Sequence, residues 1–429
     1  MRVSSSMIFD AGLASIQKQT SALLHTQQQV ASGRRMLTAA DDPVASARAL
    51  EVEQAQNTNA LYLNNQKAAG ESLGLVESSL NSVGELIRSA RTLAVQGGGG
   101  ALTDSDRRSI AGELRQRFDE LLGLANATDG NGQHLFSGYM GNTVPFSGSV
   151  AAGVAYAGDD GQRLLQVSAS RQVAVSDSGN DVFMRIRNGN GAFATSAAAG
   201  NAGSGIIDAG AVTNPALWNA AGNSKDFTVV FAVDGAVPPV TTYDIIDNVS
   251  GNSLLTGAAP AAAPYPRVFV PDQAISLKSQ GAEPAFDYGA QLVVSGNPAD
   301  GDSFDIDASS SQSLFDTLSD LIGALEASTS VVGGKSVLAN HIGSALTNLD
   351  QAQENVLRVR AGVGARLNEI DALANAGEDL DLNYAQTLSR LRDVDYAEAI
   401  SRLTLEQGYL EAAQKSFLRV TGLSLFNYV

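Results

Sequence analysis

Apolar residues recur at Leu338, Ile342, Ala345, Leu349, Ala352, Val356, Val359, Val363, Leu367, Ile370 and Ala374. The steps are mostly alternating fours and threes, the spacing of a coiled-coil seam. At 1.5 Å per residue this predicts a helix of roughly 55 Å. Between Val359 and Leu367 one step of four follows another, which locally changes the supercoil. One helix cannot cover so long a stripe itself, so the pattern demands partner helices. Two such stripes lie earlier in the chain: Leu73, Val76, Leu80, Val83, Ile87, Ala90 and Ala94, then Ile110, Leu114, Phe118, Leu121 and Ala125. These stripes are the expected core of a helical rod.

The two ends repeat the rhythm more weakly. Leu13, Ile16, Thr20, Leu23, Gln27 and Val30 form one seam; Tyr396, Ile400, Leu403, Gln407, Leu410, Gln414 and Phe417 form the other. Their polar positions give up apolar burial, so each helix wants several neighbours. The apolar members, Leu13, Ile16, Leu23, Val30, Tyr396, Ile400, Leu403, Leu410 and Phe417, are the expected packing residues between helices and between subunits. Local signals set the boundaries. Gly33 suits a helix C′ position, Asp42 an N-cap and Pro43 the first helical residue. Helix is expected from there to about Gln96, with 97–100 as a flexible break and Thr103 capping the next helix. Asp129-Gly130 and Asn131-Gly132 read as turns. Gly377 is read as separating the rod from the last helix.

The centre differs. Runs at 164–167, 227–233, 267–270 and 291–294 read as strands between Gly, Pro, Asn and Asp turns. Asp160-Gly161 reads as a hairpin turn joining 154–156 to 164–167. Residues 192–210, rich in Ala, Gly and Ser, read as a loop. The expected fold is mainly α: long antiparallel coiled-coil helices from both termini form a rod that carries an inserted all-β domain. The expected domains are 1–40 with 395–429 as a terminal helical part, disordered in the free subunit; 41–184 with 312–394 as the rod, with a β-hairpin region near 133–178; and 185–311 as the surface insertion.

Composition narrows the function. The 429 residues carry a formal net charge of -17, which argues against nucleic acid or anionic lipid as a partner. The absence of cysteine leaves no disulfide framework. No apolar run reaches a membrane span, and the first residues lack the pattern of a cleaved signal peptide. Taken alone, that start suggests the cytosol, while the cysteine-free composition fits either side of the membrane. Gly70-Glu71-Ser72-Leu73-Gly74 fits a nucleophile elbow but lies inside a helical pattern. Gly334-Lys335-Ser336 lacks the strand and first glycine of a phosphate loop. Asp129 to His134 begins like a calcium loop but has no closing Glu. Asp41-Asp42 is explained as a cap without a metal, and His25, His134 and His341 read as surface or packing residues. No catalytic residue, cofactor or metal is expected.

Several of these residues carry a resemblance. Ser32-Gly33-Arg34, Ala40-Asp41-Asp42-Pro43, the stretches 88–96 and 102–108, and Leu122-Gly123-Leu124-Ala125-Asn126 resemble the N-terminal region of the bacterial flagellin family. The stretch 359–368, Asp393-Val394-Asp395-Tyr396-Ala397, Gln407 and Leu423-Ser424-Leu425-Phe426 resemble its C-terminal region. Pro43, the stretches 129–132 and 135–138, and 156–161 point to the family's hook-associated members, with the filament subunit itself as the alternative. The likeness covers roughly 1–183 and 313–429; nothing in 185–311 matches. It implies a structural subunit and no enzyme. It further implies export through the flagellar type III channel without a cleaved signal, which replaces the cytosolic reading. The implied partners are further copies in a ring or tube, a hook-associated protein on the hook side, flagellin on the filament side and an export chaperone, with no nucleic acid and no membrane insertion. A binding module or enzyme in the β insertion is the reading from another class; a pocket with convergent polar groups would favour it.

Overall fold

The computed structural model describes residues 5–260 and 262–422. Seven α-helices are found there: α1 (Ser5–Ser32), α2 (Pro43–Gly97), α3 (Asp104–Ala125), the single turn α4 (Pro215–Trp218), α5 (Leu314–Glu326), α6 (Gly334–Arg392) and α7 (Tyr396–Gly422), with a short π-helix at Asn180–Met184. The chain divides into two compact units. One holds residues 1–67, 166–171 and 371–429; the other holds 68–165 and 172–370. The closing motif at 423–426 lies outside the described residues.

The second unit contains the deepest core. Leu73, Val76, Leu80, Val83 and Ile87 of α2 are buried, as are Leu114, Phe118 and Leu121 of α3 and Leu318, Leu321 and Ile322 of α5. Leu338, Ile342, Leu349, Val356, Val363 and Ile370 of α6 are buried too, and Leu367 is half-buried. Glu77 pairs with Arg360 at 2.6 Å and Arg91 with Asp350 at 2.8 Å, so α2 and α6 run antiparallel here. Thr103 and Asp106 form a reciprocal capping box at the start of α3, which satisfies two otherwise unpaired amide donors.

An aromatic cluster closes one end of this core. Phe146 meets Phe183 edge-on at 5.4 Å and Phe315 at 5.5 Å, and Phe315 meets Phe118 at 5.6 Å. Tyr156 donates its hydroxyl to the carbonyls of Phe136 and Asp159. This contact uses residues from two of the motifs singled out in the sequence.

The hairpin expected between 154–156 and 164–167 does not form. Phe146–Ser149 pairs with Gly153–Tyr156, and Leu164–Ser168 pairs with Arg171–Ala174. The carboxylate of Asp159 accepts the amides of Tyr139 and Gly161 and folds that stretch into a local turn instead.

The insertion is built from antiparallel strands. Its larger sheet runs in the order Asn252–Ser253, Thr241–Asp247, Phe227–Val233, Ser303–Ala308, Phe193–Ala197, and Arg267–Val268 also pairs with Thr241–Asp247. A smaller sheet centres on Asp287–Ser295. Phe231, Ile245 and Phe304 of the first sheet share one core cluster with Ile275, Leu292 and Val294 of the second. The stretch 192–210 is not a loop throughout: Phe193 is fully buried in a strand, and the side chain of Asn201 exchanges hydrogen bonds with the backbone of Ser303. Small residues surround these anchors and hide them from a composition count. The 267–270 strand is shorter than its apolar run, ending at Val268.

Ile186–Arg187 pairs with Gln312 and Ser311, closing the insertion at its base. Side chains of α6 also hold it. Asn340 accepts the amide of Ile207 and donates to the carbonyl of Gly205, Asn348 accepts the amide of Gly189, and Ser336 donates to Gly203.

Phe231 packs against Phe269 at 5.1 Å and Phe304 at 5.7 Å. Phe231→Ala should cost about 3–5 kcal/mol, the usual range for a buried phenylalanine. Denaturant unfolding followed by the fluorescence of Trp218, in the same cluster, measures it. A loss below about 1 kcal/mol would show that the insertion core is not packed as described.

Candidate assembly surface

In the first unit both ends of the chain meet. Gly33 ends α1 with φ +70°, a conformation glycine adopts without strain. Its carbonyl accepts the amide of Val394 at 3.0 Å, and the amide of Arg35 donates to the carbonyl of Arg392 at 2.7 Å. Arg34 and Asp393 pair antiparallel, and the Arg35 guanidinium donates to the carbonyl of Leu391. Arg392 reaches Glu53 on α2. The Ser32-Gly33-Arg34 and Asp393-Val394-Asp395 motifs thus form one clasp.

Asp41 and Asp42 organise the loop of this clasp. Asp41 Oδ2 accepts the amides of Leu37 and Thr38, and its Oδ1 lies 3.1 Å from His25 Nε2. These amide donors, that of Thr38 foremost, hold the Asp41 carboxyl below its ordinary value, with a smaller contribution from His25. Asp42 Oδ1 accepts the amide of Ala45 at 3.0 Å, capping α2, whose first residue is Pro43. The Glu53 carboxyl is likewise held low, by its hydrogen bond from Arg392.

Gly377 does not end a helix. It lies inside α6, where a Cβ would stand 2.8 Å from Leu63 Cδ2. Its carbonyl accepts the side-chain amide of Asn59 at 2.7 Å. Glycine here serves close helix approach, and the break falls at 393–395 instead.

Helices α1 and α7 pack together, with Phe9 and Phe417 rings 5.1 Å apart. The covered face of α1 carries Ile16, Gln19, Leu23, Thr26, Gln29 and Val30; that of α7 carries Ala399, Leu403, Glu406, Leu410, Ala413 and Phe417. The seam polar positions read from the sequence, Thr20, Gln27, Gln407 and Gln414, are exposed. So are Leu13, Tyr396 and Ile400. Each helix carries two adjacent stripes of similar polarity, and the spacing alone does not choose between them. The pair has almost no core: its deepest described side chains are Thr26, Gln29 and Ala399. Leu13, Leu24, Ile400, Leu405 and Tyr409 stand 42–57 % exposed.

The other sequence candidates have structural partners. Ser72 lies within α2 and donates to the carbonyl of Val175. Asp129 accepts the amides of Asn131 and Gln133 in a tight turn, and His134 Nδ1 lies 2.8 Å from the carbonyl of Asn126. Among the described residues no group of three or more His, Cys, Asp or Glu is placed to hold a metal, and no helix is long and apolar enough to cross a membrane.

The bacterial flagellin N-terminal helical region matches residues 3–141, and its C-terminal helical region matches 346–429. The chain belongs to the bacterial flagellin family. It is 26% identical over 426 residues to flagellar hook-associated protein 3 of Escherichia coli, covering 99% of each chain. The Salmonella typhimurium protein of that name is 25% identical over the same length. The crystal structure of hook-associated protein 3 from Legionella pneumophila superposes with TM-score 0.70 at 30% identity, covering 79% of this chain and 98% of that one. The chain is thus homologous to a structural protein of the flagellar hook–filament junction.

The clasp makes a pH-dependent prediction. A carboxyl held below its unfolded value stabilises the fold above that value, about 3.9 for Asp, and the contribution is lost as pH falls through the folded value. Asp41→Asn should therefore speed hydrogen exchange at the Leu37 and Thr38 amides at pH 7. The ratio of variant to wild-type rate should fall towards one only as the pH drops through the folded Asp41 value, below about 3.9. A ratio independent of pH would show that the Asp41 charge does not hold the loop.

Proposed function

We propose that this chain is the subunit that joins the flagellar hook to its filament, working as a structural part and not as an enzyme. Copies of it form a ring or tube, with a hook-associated protein on the hook side and flagellin on the filament side. The subunit reaches that place outside the cell without a cleaved signal, escorted by an export chaperone. One observation carries the reading: α1 and α7 leave Leu13, Leu24, Ile400, Leu405 and Tyr409 in solvent while burying little between themselves. Burying one such side chain contributes roughly 1.5–3 kcal/mol, so the pair gains from neighbouring helices what it lacks alone.

The domain reading follows from the same contrast. Residues 1–40 and 395–429 order fully on assembly, 41–184 with 312–394 form the supporting rod, and 185–311 is a surface lobe outside the joint.

Deletion and complementation test this. A strain lacking the gene should keep its hooks and release flagellin monomers into the medium. The wild-type chain should restore swimming, and so should a chain in which a short Gly-Ser linker replaces 185–311. Ile400→Asp should not, because it puts a charge into the assembled interface. Ile400 is already 51% exposed, so the purified variant should keep wild-type helical content. A deletion strain that retains its filaments would overturn the junction reading, and full swimming with Ile400→Asp would overturn the role of α7.

A further inference from the structure

Asp244 sits in the middle of the strand Thr241–Asp247 and is fully buried. Its neighbours Tyr243 and Ile245 belong to the insertion core. Side chains alternate along a strand, so Asp244 points to the opposite face. There its Oδ1 accepts the Ser253 hydroxyl at 2.7 Å and the amide of Ile245 at 2.8 Å, while its Oδ2 has no hydrogen-bond partner. The charges of Arg267 and Glu283 act on it in opposite senses. Those two pair with each other at 2.6 Å, and Arg267 stands opposite Tyr243, on the other face of the strand. Burial above all pushes the Asp244 carboxyl above its ordinary value, against the hydrogen bonds from Ser253 and Ile245. An ionised carboxylate with one dry, unpaired oxygen is costly; a protonated one keeps Oδ1 as an acceptor and buries no charge.

Ser253 connects this carboxyl to a turn. It is 1% exposed, and its hydroxyl donates to Asp244 and accepts the amides of Leu255 and Thr256. Its backbone amide donates to the carbonyl of Ala258, and its carbonyl accepts the amide of Gly257. One hydroxyl thus ties the 253–258 turn to Asp244. The turn hangs at the sheet edge from the two-residue strand Asn252–Ser253, with Leu255 inserted into the insertion core.

We propose that Asp244 is a pH-sensitive latch on this turn. Protonated, it holds 253–258 closed; ionised, it releases the turn, which admits water to the carboxylate and draws Leu255 out of the core. A carboxyl whose folded value is raised stabilises the fold below its unfolded value, about 3.9 for Asp, and that contribution is lost as pH rises through the folded value. The latch therefore has the opposite sign to the Asp41 loop, which tightens as pH rises. It works within one chain, so it stands whether or not that chain joins hook to filament.

Hydrogen exchange on the purified full-length chain tests the latch, with Asp244→Asn as the reference. Asparagine keeps the acceptor for Ser253 and cannot ionise. The ratio of wild-type to variant rate at the Leu255 and Thr256 amides cancels the intrinsic pH dependence of exchange. It should be lowest at about pH 4 and rise about tenfold or more by about pH 8. The same ratio at Phe231 and Phe304, in the insertion core, should change far less. A ratio at Leu255 and Thr256 that stays constant over this range would overturn the proposal. So would an equal rise at Phe231 and Phe304, because the insertion would then open as a whole. The wild-type chain gives a second readout that does not depend on the variant folding. The Asp244 carboxyl carbon, followed by NMR, should titrate above about 3.9, over the pH range in which Leu255 and Thr256 lose protection. Titration at or below the ordinary value, or over a different range, would overturn the latch.

Discussion

The deepest described side chains in the α1–α7 pair are a threonine, a glutamine and an alanine. A helix pair of this kind is poor in the one interaction that usually holds helices together, the burial of large apolar side chains. Ordering its backbone costs about 1–2 kcal/mol per residue, and its own contacts return little against that. Leu13, Leu24, Ile400, Leu405 and Tyr409 point outward. In the proposed assembly, neighbouring copies supply the core that this helix pair lacks. The second unit folds around a dense apolar core of its own, and the clasp at Gly33 and Val394 fixes where α1 ends and α7 begins.

The clasp explains why the two ends depend on one another. The α1–α2 loop is held by backbone bonds to 391–394, by the amides that Asp41 accepts and by the Arg392–Glu53 ion pair. Two segments more than 350 residues apart in sequence, such as Arg35 and Leu391, are thereby fixed in register. The ion pairs are solvent-exposed and contribute little each; the backbone bonds set the geometry. A change on either side of the clasp therefore disturbs both the end of α1 and the start of α7.

Much of this was legible in the sequence because its signals are local. Gly33, Asp42-Pro43 and Thr103 mark helix ends by their own chemistry, and the stripes of α2, α3 and α6 are strongly periodic. What was not legible depends on a partner. Gly377 reads as a breaker until Leu63 and Asn59 are beside it. Gln66 and Asn59 look like surface amides until the turn at 167–170 and the Gly377 carbonyl meet them. The 154–156 run pairs with 146–149 in a local hairpin instead, and Asp159, which accepts the amides of Tyr139 and Gly161, turns the chain before 164–168. On α1 and α7 the expected Ile16, Leu23, Val30, Leu403, Leu410 and Phe417 lie on the covered face while Leu13, Tyr396 and Ile400 are exposed, because two mixed stripes run side by side and only the partner helix selects one. In the insertion only the runs at 227–233, 267–270 and 291–294 read as strands. Phe193–Ala197 reads as loop, and Thr241–Asp247, Ala274–Lys278 and Ser303–Ala308 are not singled out; the order of these strands comes from long-range pairing that no local signal encodes.

The central claim is that α1 and α7 need neighbouring subunits to be stable. Hydrogen exchange on the purified chain, at a concentration where it is monomeric, tests it most directly. Amides between Leu403 and Phe417 should exchange almost as fast as in an unfolded chain, while those around Leu73–Ile87 and Leu349–Val363 stay strongly protected. Strong protection of the Leu403–Phe417 amides in the monomer would show that the terminal helices fold unaided, and would contradict the account.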